Sequence, residues 1–98
     1  MTMMDKINRE ELDFLCDAVL SLKTREECYA FFEDVCTIAE TQALMQRLEV
    51  AKLLREKVTY QEISKRTGAS TATISRVNRC VVYGPGGYNL VLERLQKK

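Results

Sequence analysis

The stretch that decides the fold is Thr59–Arg76, TYQEISKRTGASTATISR. It holds two helix starts around one glycine. Thr59 opens TYQE, a capping box in which Glu62 follows the capping threonine by three residues. Gly68 takes a left-handed backbone at little steric cost, so it stops the first helix. Ser70 then offers a side-chain oxygen to the free amides of a second helix. Ile63, Ile74 and Val77 are the inward apolar residues, and Ser64 and Ala69 are small residues near the crossing. Two short helices that cross steeply need a small residue where they touch, a glycine at the turn and apolar groups at the few positions that meet a core. The spacing over 59–81 is that of a helix-turn-helix.

Outward from this motif the chain reads as all-α. Asn8 caps a first helix, with Glu11 three residues on and Ile7 and Leu12 placed as a hydrophobic staple. Leu12, Leu15, Cys16, Val19 and Leu22 recur along it at helical spacing. Thr24 opens TREE, a second capping box in which Glu27 returns toward the Thr24 amide, and Cys28, Phe31, Phe32, Val35 and Cys36 form the apolar face behind it. A third helix starts at Ile38 or Thr41 and runs to about Lys57, with Leu44, Leu48, Ala51 and Leu54 in one stripe that Val50 and Leu53 widen. Gly84-Pro85-Gly86-Gly87 cannot continue a helix and reads as a turn. A tail helix over 88–97 follows, with Tyr88, Val91, Leu92 and Leu95 on its apolar side. It is too short to stand alone and must dock. The expectation is a single domain over 1–98 with about six helices. Residues 8–57 form dimerisation helices, 59–81 the helix-turn-helix and 88–97 the tail.

Composition narrows the function classes. The N-terminus lacks the basic-then-apolar order of a signal peptide, and no apolar run approaches the ~18 residues of a membrane span, so a cytoplasmic protein is expected. There is no histidine, and Cys16, Cys28, Cys36 and Cys80 make no CxxC pair, so no metal site is expected and the cysteines read as small, reduced core residues. No phosphate-cradling glycine loop and no base partner for a nucleophilic cysteine can be found, so the chain does not read as an enzyme. Charge is unevenly distributed. Residues 1–46 carry 4 basic and 10 acidic side chains, while residues 47–80 carry 8 basic and 3 acidic. A basic middle beside an acidic front suits a polyanion on one face only.

The second helix of the motif names that polyanion. From Ala69 to Leu92 there is no carboxylate, whereas an ordinary solvated helix mixes acids with bases. Its outward residues are Thr71, Ala72, Thr73, Ser75, Arg76, Asn78 and Arg79. Short hydroxyls let a helix lie close to a groove floor, Ala72 suits a thymine methyl, and Arg76 and Arg79 reach phosphate or guanine. Ser70 and Thr73 sit in the first turn, where free amides favour phosphate. Lys65 and Arg66 at the end of the preceding helix, and Tyr60 and Gln61 at its start, are candidates for backbone contact.

EISKRTGASTATISR resembles the helix-turn-helix of the Trp repressor superfamily, whose hallmark is a GA-x-x-ATI-[ST]-R run. QRLEVAKLLREKVTYQEI resembles the helix and turn that precede it there, and within the superfamily the chain most resembles the YerC/YecD-like branch. The resemblance covers about residues 8–95. It implies an all-helical homodimer with interlocked N-terminal helices that binds double-stranded operator DNA through paired recognition helices. It also implies where an effector would sit. Members that bind tryptophan hold the indole between two arginines, matched here by Arg47 and Arg76. They carry glycine where this chain has Val77 and serine where it has Cys80, and the added bulk of the valine argues against L-tryptophan. An ion pair with a neighbouring acid is the other reading of Arg47. No cofactor is expected, and another small-molecule effector stays open.

The leading expectation is thus a sequence-specific DNA-binding transcriptional regulator, read as a repressor. The alternative is a protein-interaction module that uses a helix-turn-helix scaffold without binding DNA.

Overall fold

A computed structural model describes residues 3–96 of the chain. A 3-10 turn at Met3–Lys6 is followed by six helices: α1 Arg9–Leu20, α2 Arg25–Val35, α3 Ile38–Arg55, α4 Tyr60–Thr67, α5 Thr71–Tyr83 and α6 Gly87–Gln96. The described residues contain no strand. They also contain no helix long and apolar enough to cross a membrane. The tail helix is expected to reach 97, and Lys97 and Lys98 lie outside the described residues. The backbone divides into two compact units, Met1–Thr37 and Ile38–Lys98.

The first unit holds α1 and α2. The caps read from sequence are present: Asn8 Oδ1 accepts from the Glu11 amide at 3.0 Å, and Thr24 Oγ1 from the Glu27 amide at 3.1 Å. The return arm of the second box differs from expectation. Glu27 Oε1 accepts from the amide of Lys23 at 2.8 Å, because that N–H, one residue further out, is the one aimed at the carboxylate. Neither helix contains a buried residue. Leu15, Cys16 and Val19 of the expected inward stripe are exposed, Leu12 and Leu22 are half-buried, and Phe14 and Leu20 are 77% and 81% exposed. Helical spacing creates the apolar stripe, but among the described residues most of it stays exposed.

The second unit holds the core. Val50, Ala51 and Leu53 of α3, Ile63 of α4, Ala69 of the turn, Ile74 and Val77 of α5 and Leu92 of α6 are buried together. At roughly 1.5–3 kcal/mol for each large aliphatic side chain taken out of water, this cluster is the main source of local stability. α3, grouped by sequence with α1 and α2, packs here against α4, α5 and α6. Its buried side turns at Val50, Ala51 and Leu53, whereas Leu44 and Leu48 of the expected stripe are exposed. Leu92 is the one buried residue of α6, and Val91 and Leu95 are exposed. The cysteines are free and none is a core residue: Cys16 and Cys80 are exposed, and Cys28 and Cys36 are half-buried. α1 and α2 offer Cys16, Cys28 and Cys36 no core to join, and Cys80 borders an open cavity with Leu44, Leu48 and Tyr88 instead of joining the core.

The end of α3 is closed by a Schellman motif. The Val58 amide donates to Leu53 O and the Lys57 amide to Leu54 O, both at 3.1 Å. The motif forces its central residue into the left-handed region, and that residue is Lys57, at φ 66°. A lysine there carries a steric cost that glycine escapes. Gly68 occupies the same region at φ 77° after α4, and a Cβ at Gly68 would meet nothing within 4 Å, so the demand for glycine there is purely conformational. Two substitutions therefore move stability in opposite directions. Lys57→Gly should stabilise by about 0.5–1 kcal/mol and Gly68→Ala should destabilise by about 1 kcal/mol, read as shifts in urea midpoint at fixed protein concentration.

Candidate nucleic-acid interface

The turn between α4 and α5 is wrapped in short hydrogen bonds. The Gly68 amide donates to Ser64 O at 2.8 Å. Thr67 Oγ1 donates to Ile63 O at 2.8 Å and accepts from the Ala69 amide at 3.1 Å. Ser64 Oγ donates to Ala69 O at 2.8 Å. Ser64 therefore does more than leave room at the crossing, because its hydroxyl ties α4 to the turn. Gln46 of α3 reaches Thr67 O with Nε2 at 3.2 Å and holds the same corner from outside. With Ile63, Ala69, Ile74 and Val77 all buried, the corner has little freedom to rotate.

That seat determines which side of α5 is left outside. Ser70 Oγ accepts from the Thr73 amide at 3.1 Å and donates to Thr73 Oγ1 at 3.1 Å, so the two hydroxyls of the first turn are joined. Ser70, Thr71, Ala72, Arg76 and Arg79 are exposed. Thr73, Ser75 and Asn78 are half-buried and sit at the flank of the exposed face. On α4, Tyr60, Gln61, Lys65 and Arg66 are exposed. The surface that results has basic side chains and small hydroxyls, and α5 carries no acid in its first turn. It can offer charge to phosphates, methyl groups and hydroxyls to base edges, and two arginines to either.

The two arginines matched to an effector site are placed differently. Arg47 lines an open, mostly apolar cavity of about 590 Å³ with Leu44, Leu48, Cys80, Tyr88 and Val91. Arg76 is exposed and is not part of that lining. Val77, between Arg76 and the cavity-lining Cys80 in sequence, points into the core and is 1% exposed. Burial pushes the Tyr88 phenol above its ordinary range, Cys80 pushes it the same way and the Arg47 guanidinium pulls it back. Tyr88 thus sits where both Cys80 and the Arg47 guanidinium act on it. In sequence Tyr88 reads only as an apolar residue of the tail. Its place in the cavity wall comes from the Gly84–Gly87 turn, which folds α6 back toward α3 and α5.

Three comparisons bear on this arrangement. The family model described as Trp repressor protein matches residues 10–96. The uncharacterized protein YerC of Bacillus subtilis strain 168 is 56% identical over 94 residues, covering 96% of this chain and 90% of the relative. Among solved structures, a candidate Trp repressor from Staphylococcus aureus superposes with a TM-score of 0.94 at 46% identity, covering 100% of this chain and 98% of that one. A TrpR-like protein from Eubacterium eligens ATCC 27750 superposes with a TM-score of 0.90 at 56% identity, covering 94% and 95%.

Proposed function

The chain belongs to the Trp repressor family, and from that premise we propose that it is a sequence-specific DNA-binding transcriptional regulator, acting in the cytoplasm as a repressor and without catalysis. The observation that carries this reading is the exposed face of α5. Thr71, Ala72, Arg76 and Arg79 are held outward by a buried Ile74 and Val77, in a stretch from Ala69 to Leu92 that holds no carboxylate. The helix lies in the major groove, and the basic residues of α4 and α5 supply phosphate affinity that weakens with salt. Selection of genomic fragments followed by gel shift tests it. Arg76→Ala and Arg79→Ala should each weaken binding by about 1–3 kcal/mol where they contact bases. A phosphate contact instead weakens all sequences alike and lowers the salt slope by about one. A wild-type protein that shifts no fragment at any salt concentration points to the protein-interaction module instead.

We propose further that the functional species is a homodimer. Phe14, Leu20 and Tyr29 on α1 and α2 are exposed, as are Leu44 and Leu48 on α3, an unusual load of bare apolar surface for one small chain. A second copy covers such faces and sets two recognition helices about one DNA turn apart. Sedimentation should give a dimer, and the melting temperature should rise with protein concentration. A concentration-independent monomer rules this out.

L-Tryptophan is not the proposed effector. The cavity beside Arg47 is not lined by Arg76, so the two arginines that hold the indole in tryptophan-binding members do not meet across it. Adding L-tryptophan should change neither operator affinity nor melting temperature, and a rise in either overturns this point.

A further inference from the structure

α5 ends where its own backbone cannot complete it. In a continuing helix the Val81 carbonyl would accept from the amide of residue 85. That residue is Pro85, which has no N–H, and the chain has already left the helix at Gly84, with φ −76° and ψ −175°. Gly84 is itself obligatory there, since a Cβ would sit 2.5 Å from Cys80 O. The missing donor comes from the next helix: Asn89 Nδ2 donates to Val81 O at 2.9 Å. Asn89 is held in turn by α3. Arg55 Nη1 donates to Asn89 O at 2.9 Å and to Asn89 Oδ1 at 3.3 Å. All of these contacts are part-buried.

The chemistry fixes the direction of this chain of bonds. A guanidinium only donates, so it must face the amide oxygen, and the amide nitrogen is thereby turned to the carbonyl of α5. We infer that Asn89 is a positioning residue for DNA reading, a cap placed on the last turn of the recognition helix by α6 and oriented by Arg55. The inference rests on the DNA-binding reading given above. Arg79 stands two residues before Val81 and reaches outward from this same end of α5. Without the cap, a half-buried carbonyl loses its partner, the last turn frays and the Arg79 backbone is no longer held.

Asn89→Asp separates capping from anchoring. The carboxylate is nearly isosteric, pairs more strongly with Arg55 and cannot donate to Val81 O. A role limited to holding α6 on α3 is therefore preserved or improved, while the cap on α5 is abolished. Gel shift is measured on a fragment that the wild type binds, alongside amide hydrogen exchange. Asn89→Asp should bind on the order of tenfold more weakly. Amides at the end of α5, including Gly84 N, should exchange faster while the amides of Leu53 and Ile63 keep their protection. In an Arg79→Ala background the same change should cost little more. Should Asn89→Asp not fold, Asn89→Ala gives the same two readouts without a buried charge. Wild-type affinity in the variant, or a loss of affinity without faster exchange at the end of α5, overturns the positioning role. If the wild type binds no fragment, the DNA reading fails and takes the positioning role with it.

Discussion

The left-handed backbone at Gly68 is the constraint on which the second unit depends. It ends α4 and allows α5 to start two residues later, with Ala69 tucked under the corner. Once the corner closes, Ile63, Ile74 and Val77 face Val50, Ala51 and Leu53, and the polar side of α5 has only one direction left to point. The Ser64, Thr67 and Gln46 hydrogen bonds act on a geometry that burial has already chosen. They satisfy the carbonyls and amides that the tight turn leaves exposed to loss. Packing on the inside and presentation on the outside are therefore one event, governed by a single torsion.

The helix-turn-helix was legible in the sequence because each of its determinants is local. A cap acts over three residues, a glycine stop acts at its own position, and Ile74 and Val77 are three apart on one face. Other features depend on partners distant in sequence and left no local mark. Nothing near Asn89 announces that it reaches Val81 and Arg55, which lie 8 and 34 residues away. Lys57 hides a left-handed cap because lysine is not a residue type that signals one. Periodicity identified the apolar stripes of α1, α2 and α3, but a stripe says which side wants cover and not what provides it. That is why Leu53 is buried while Leu15 and Leu48 are not. The cysteines failed as core residues for the same reason. The pairing of Arg47 with Arg76 was inferred from family likeness alone, and in this chain Arg47 borders a cavity that Arg76 does not line.

Charge is also unevenly placed along the chain. The acidic groups concentrate in residues 1–46, and the basic ones in the stretch that contains the helix-turn-helix. On the proposed reading, the basic stretch is the part of the second unit that a polyanion attracts.

The way α5 is finished has a consequence for the tail. Its last turn borrows a hydrogen-bond donor from Asn89, and Asn89 is steadied by Arg55. Losing α6 therefore removes more than Leu92 from the core, because the Val81 carbonyl loses its donor as well. The end of α5 and the short helix after it form one cooperative unit that opens and closes together.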